Sequence, residues 1–279
     1  MGLIRRAARS IATRAGRQSH VVTTLRPAYE KWLVWSSFGR GMLQTLNGQE
    51  RFRIDPRRRM LFPEVYDPAV LSYLRERIRL GSVCFNVGAH FGVYALCLSE
   101  WAGPAGRVYA FEPNPDSRRV LQEHLRLNGR QGRVEVVAAA VSDRPGVATF
   151  FAAADHFSGV SRLGTPNPEF PEARASAVEV SVTTIDAFCA EMNVLPDWLV
   201  IDIEGYEVAA LRGALETVGR RRSQLGIVAE IHPSLWTAAG ASRGELEELL
   251  RRARLHAVPL TGQTDPLGEY GIVALEYSE

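Results

Sequence analysis

Two short stretches of this chain hold carboxylates and a histidine at a spacing suited to proton transfer. IDIEGYE (201–207) places Asp202 and Glu204 two residues apart, and AEIH (229–232) does the same with Glu230 and His232. Strand side chains alternate between faces, so each pair shares a face at the end of its strand. If the two strands are neighbours, four polar groups meet on one rim of an otherwise apolar sheet. Such a rim could orient and deprotonate a substrate hydroxyl, with His232 as the base because an imidazole titrates at about 6.5. Holding a divalent cation is the alternative use of the same groups. A plainer reading makes Glu204 the cap of the following helix and lets His232, which precedes Pro233, end its strand on a backbone carbonyl.

A third motif, FNVGAHFG (85–92), sets Gly88 and Gly92 four residues apart between an apolar run and the helix-like VYALCLSEWA. Glycines there let a ligand approach the backbone without a Cβ in the way. The dinucleotide fingerprint G-x-G-x-x-G needs a third glycine that G-A-H-F-G does not have, so an adenosyl methyl donor without a pyrophosphate suits the turn better. Glu112 ends RVYAFEPNP, twenty-four residues after Gly88, where a carboxylate can accept both hydroxyls of a ribose. Ser142 and Asp143, after VEVVAAAV, are placed either to hydrogen-bond an adenine edge or simply to make the turn SDRPG.

The elements that must position these groups follow a regular rhythm. Asp67-Pro68 reads as an N-cap and first helical residue, opening a helix that Gly81 closes. Then SVCFNV (82–87), a helix near 92–102, RVYAF (107–111), a helix near 115–128 and VEVVAAAV (134–141) alternate as strand and helix. AVEVSVTTI, a short helix opened by Asp186, WLVIDIE, a helix near 207–218, LGIVAEIH and a helix near 243–254 continue the pattern. This βαβ rhythm predicts a doubly wound, mostly parallel α/β sheet. HAVPL and GIVALEY have no helix between them and should pair antiparallel at the end. The segment 154–176, with three prolines and no periodicity, is too long for an idle connection. It is expected to form an acceptor-side lid, with His156, Phe157 and Ser158 in contact with the acceptor.

Charge divides the chain. Residues 1–60 carry thirteen Lys or Arg against three acids, and the remainder is net −8 although the whole is +2. The first 60 residues therefore read as a basic arm, partly helical or disordered, and 61–279 as the catalytic domain. Residues 3–17 could form a basic amphipathic helix that touches an anionic membrane surface, a transit peptide, or a solvated arm. The acidic domain argues against a nucleic-acid substrate. Cys84, Cys97 and Cys189 make neither a CxxC nor an even set, and no apolar run spans a bilayer, so a cytoplasmic location is expected.

With FNVGAHFG, VYAFEPNP, VAAAVSDRPG, VTTIDAF, IDIEGYEVAALRGA and AEIHP in this order, the chain resembles the FkbM-type S-adenosylmethionine-dependent methyltransferases from Tyr66 to His232. The resemblance implies a Rossmann-like class I methyltransferase fold and methyl transfer to a hydroxyl of a sugar, glycolipid or polyketide-type small molecule. It implies that Gly88, Ala89 and Gly92 form the donor turn, that Glu112 binds the ribose, and that Asp202 and Glu204 belong to the acidic block. Asn86 stands where the family usually has an acid, and can accept a hydrogen bond from the donor's amino group without adding charge. Val200 stands where a lysine is frequent, which removes that residue as a base. Two rival classes remain: an NAD-dependent oxidoreductase on a similar sheet, and a methyltransferase-like binding scaffold without strong catalysis.

Overall fold

The computed structural model describes residues 20–153 and 155–278. The basic stretch at 3–17 lies outside them. The chain enters through helix α1 (His20–Ser36) and an antiparallel hairpin, β1 (Met42–Leu46) and β2 (Glu50–Ile54). Alternation in the hairpin points Leu46, Phe52 and Ile54 inward, where they are buried with Phe62, Val70 and Leu74 in the same apolar cluster. The folded unit therefore starts well before residue 61, because the hairpin supplies part of the core.

The rest follows the expected rhythm: α2 (Pro68–Arg77), β3 (Val83–Val87), α3 (Val93–Trp101), β4 (Arg107–Phe111), α4 (Pro115–Leu127) and β5 (Val134–Val137). Next come β6 (Ala139–Val141), β7 (Gly146–Ala153), β8 (Arg162–Leu163), β9 (Ala175–Thr183), α5 (Ile185–Met192) and β10 (Trp198–Ile201). The chain closes with α6 (Glu207–Arg212), α7 (Leu215–Arg221), β11 (Gly226–Ile231), α8 (Pro233–Trp236), α9 (Arg243–Ala253), β12 (Leu255–Pro259) and β13 (Gly271–Tyr277).

Seven strands form one sheet in the order β12-β13-β11-β10-β3-β4-β5, parallel from β11 to β5, with β13 antiparallel to both of its neighbours. Helices cover both faces, so the central strands read as continuous apolar runs. Phe85, Val87, Phe111, Leu199 and Ile201 fill one face, and Cys84, Val108, Ala110, Val200 and Val228 fill the other. All three cysteines are free and buried.

Four details depart from the sequence reading. VEVVAAAV is two strands: β5 stays in the main sheet, while β6 leaves it to pair with β9 in a second sheet ordered β6-β9-β7-β8. The segment 154–176 is partly ordered as a 3-10 turn (Asp155–Val160) and β8, which pairs with β7. Thr184, not Asp186, caps α5, and Asp186 instead accepts from the backbone N–H groups of Glu216 and Thr217 at 3.0 and 2.8 Å. The helix expected over 207–218 breaks into α6 and α7 at Gly213, where a side chain would overlap the Ser142 carbonyl oxygen.

Candidate active site

Register brings the polar groups together. Ile201 lies beside Val87 and Ala229, and Val87 lies beside Phe111. The residues that follow, Gly88, Glu112, Asp202 and Glu230, therefore emerge along one edge of the sheet at the carboxyl ends of its parallel strands. A cavity of about 370 Å³ opens there, roofed by Ser158–Leu163. That volume falls in the small-molecule range of roughly 300–1,000 Å³.

At one end, Gly88 turns with φ +87°, and a side chain there would overlap the Asp202 carbonyl oxygen. The N–H groups of Gly88 and Ala89 both donate to the Phe111 carbonyl, at 3.0 and 2.9 Å, which locks the turn to the neighbouring strand. Gly92, at φ +91°, opens α3. Glu112 is buried and lines the cavity. Its Oε2 accepts from the His90 N–H at 2.7 Å and its Oε1 from the Asn114 N–H at 2.8 Å. Burial raises its pKa to about 7 against those hydrogen bonds. Each oxygen keeps a second lone pair, enough for two ribose hydroxyls.

The neighbouring residues divide. His90 donates or accepts at Ser158 Oγ, 2.8 Å from its Nε2, and so pins the roof to the glycine turn. Burial, with the Arg58 and His124 charges, lowers its pKa to about 4, so the ring is neutral. Asn86 is fully buried beneath the turn, outside the cavity lining, with neither amide atom hydrogen-bonded. Ser142 and Asp143 also lie outside the lining. Asp143 Oδ2 accepts from Arg212 at 2.8 Å, and the wall at this strand is the apolar Ala139, Ala140 and Val141.

At the other end the acids crowd. Asp202 and Glu230 lie side by side, and burial, followed by the Glu230 charge, raises the Asp202 pKa well above its ordinary value. Asp67 joins them. It adopts φ +37°, makes no cap to α2, and accepts from Tyr94 Oη at 2.9 Å. Tyr270 donates to Glu230. Glu204 lines the cavity, and its Oε2 accepts from Asn167 at 3.1 Å. Burial lifts its pKa to about 7, partly opposed by the charge of His232.

His232 sits behind this rim rather than in the lining. Its Nδ1 is 2.6 Å from Oε1 of the fully buried Glu207, whose Oε2 accepts from Trp236 at 2.9 Å and whose Oε1 also accepts from the Gly205 N–H. Burial pulls the imidazolium pKa down, but the Glu207 hydrogen bond and the charges of Glu207, Glu204 and Glu230 outweigh it and raise the value to about 9. His232 is therefore charged at neutral pH, which removes the ground for expecting an intrinsic value of about 6.5. Its Nε2 lies 3.8 Å from Glu204 Oε2. One oxygen each of Asp202 and Glu230 and one His232 nitrogen lie within 4.8 Å of one another, a donor set that could hold a divalent cation.

Sequence reasoning missed Asp67, Glu207, Arg162 and the tyrosines 66, 94 and 270. Glu207 had a signal in its spacing from Glu204, three residues on one helical turn. Arg162 had none, because a short strand pairing placed it.

A parallel sheet with an antiparallel penultimate strand, a glycine turn after its central strand and an acid after the next define the Rossmann-like class I methyltransferase fold. Residues 86–255 match the family described as the Methyltransferase FkbM domain, more than half of the chain, and the protein belongs to that family of S-adenosylmethionine-dependent methyltransferases. It is 29% identical over 222 residues to 31-O-demethyl-FK506 methyltransferase FkbM of Streptomyces tacrolimicus, covering 70% of this chain and 80% of that protein. It is 25% identical over 187 residues to the hexuronic acid methyltransferase AglP of Haloferax volcanii, covering 67% and 68%. A crystal structure of methyltransferase FkbM from Methylobacillus flagellatus KT matches with a TM-score of 0.46 at 16% identity, over 75% of this chain and 51% of that one. Among the described residues no helix is long and apolar enough to cross a membrane.

Proposed function

We propose that the protein is an S-adenosylmethionine-dependent O-methyltransferase acting on a hydroxyl of a small molecule or glycan. The named activities of the FK506 and hexuronic acid relatives support this substrate class. The donor end fits an adenosyl ligand: Gly88 has no room for a side chain, Glu112 lines the cavity with acceptor capacity to spare on both oxygens, and Ala139–Val141 offer an apolar wall. When bound, that ligand supplies a methyl carbon already activated on a sulfonium sulfur. The chain's task is then to position the acceptor and remove its proton.

The observation that carries this reading is Glu204. It faces the cavity, its Oε1 has no hydrogen-bond partner in the described structure, and its pKa of about 7 suits a base that works at neutral pH. His232, held as a cation behind it, stabilises the ionised carboxylate, and Asp202 with Glu230 orients the acceptor. The test is mass spectrometry of products formed from isotopically labelled donor with polyketide and glycolipid extracts. Labelled methyl on oxygen supports the reading, and label on carbon or nitrogen overturns it.

The Asp202, Glu230 and His232 donor set favours a second reading, a bound divalent cation. The two carboxylates suit Mg²⁺ or Mn²⁺, and the imidazole, whose other nitrogen Glu207 holds, makes Mn²⁺ the better fit of the two. A rise in melting temperature with MgCl₂ or MnCl₂ that chelator reverses would support it, and unchanged activity in chelator would exclude it.

A further inference from the structure

Arg162 is a charged side chain in the cavity wall that makes no hydrogen bond or ion pair with Glu204, although its charge favours the ionised form of that carboxyl. It is 2% exposed and enters the lining from β8. Its Nη2 donates a long 3.4 Å hydrogen bond to the Leu235 carbonyl, and its guanidinium carbon lies 5.7 Å from the centre of the Tyr206 ring. Its Nε and Nη1 are buried without a hydrogen-bond partner, and no ion pair holds it among the described residues. A guanidinium does not give up its proton in a protein, so the group cannot escape burial by becoming neutral. A buried charge left unpaired is among the costliest features a fold can keep.

Its place in the cavity says which ligand would pair with it. Arg162 touches Leu235, beyond the end of β11, and Tyr206, beyond the end of β10. These belong to the Glu204 end of the site, whereas Glu112 and Ala139–Val141 form the other. Two of the acids at this end are already engaged by tyrosine hydroxyls, Asp67 accepting from Tyr94 and Glu230 from Tyr270.

We propose that the acceptor is a hydroxy acid, carrying a carboxylate near the hydroxyl that is methylated, and that Arg162 binds this carboxylate. The inference rests on the methyl-transfer reading of the cavity. The donor also carries a carboxylate, so the test separates the two sources. D-glucuronate and D-glucose are titrated calorimetrically into the full chain saturated with S-adenosylhomocysteine. Glucuronate is expected to bind roughly ten- to hundredfold tighter, the range of a charge-assisted hydrogen bond. R162Q is expected to erase that preference and leave S-adenosylhomocysteine affinity unchanged, and R162K, which keeps the charge, to retain part of it. Equal binding of the two sugars by the wild type overturns the proposal whether or not R162Q folds. So does a preference that survives R162Q, or an R162Q loss of S-adenosylhomocysteine affinity as large as the loss for glucuronate. Failure of the wild type to bind S-adenosylhomocysteine counts instead against the methyl-transfer reading, and the sugar comparison is then made on the free chain.

Discussion

At the scale of single residues, the site works through carboxyl groups whose ionisation is set by their neighbours. Glu204→Gln keeps shape and removes the base, so kcat is expected to fall by about 10²–10⁴, with S-adenosylhomocysteine affinity preserved in calorimetry. In the wild type kcat should rise as pH increases through about 7, where Glu204 loses its proton, and that rise should be absent in the variant. His232 titrates at about 9 in the folded chain against about 6.5 when unfolded. Its pairing with Glu207 therefore stabilises fully below pH 6.5 and is lost as pH rises through 9. Thermal melts from pH 6 to 10 should show that decline, and Glu207→Gln should flatten it. His232→Ala leaves Glu207 buried without its imidazolium and is expected to cost about 3–5 kcal/mol in denaturant titration. Glu112→Gln should weaken S-adenosylhomocysteine by roughly ten- to hundredfold, because a charged acceptor is lost where ribose hydroxyls would donate.

At the scale of elements, the decisive contact is between the turn after β3 and the end of β10. Gly88 packs directly against the Asp202 backbone, so the donor turn and the acidic rim are one mechanical unit. Gly88→Ala must both adopt a positive φ and push the two strand ends apart. The variant is expected to lose S-adenosylhomocysteine binding and to melt several degrees lower. Asn86 sits under the same turn with its amide unpaired, a cost of about 1–3 kcal/mol if water does not reach it. The roof is joined to this unit by His90 and Ser158, so the segment 154–176 belongs to the site by contact and not only by length. His156, expected in that segment, falls in the 3-10 turn.

At the scale of the whole molecule, the domain is closed by parts that no motif announces. The β1–β2 hairpin completes the core on one side, and the second sheet carries β8 and with it the roof. An adenosyl donor rather than a dinucleotide should stabilise this assembly. S-adenosylhomocysteine is expected to raise the melting temperature while NAD leaves it unchanged, and the reverse result would favour the oxidoreductase alternative. The mostly parallel sheet was readable because buried strands and amphipathic helices impose different periods on the chain, from SVCFNV through AEIH. The turn at Gly88, Glu112 after the second strand, and the pairs Asp202–Glu204 and Glu230–His232 were readable because ends of parallel strands meet on one edge. The break at Gly213, the capping by Thr184 and the redirection of Asp67 were not, since each depends on a partner distant in sequence. By itself the sequence determined the alternation of strands and helices from SVCFNV to AEIH and which chemical groups stand at the strand ends, for those follow from local periodicity and residue type. Only the tertiary structure decided that His232 is a buried cation on Glu207, that Glu204 faces the cavity, and that Arg162 is left unpaired in its wall. Burial and charge proximity are properties of packing between segments that the linear order leaves far apart.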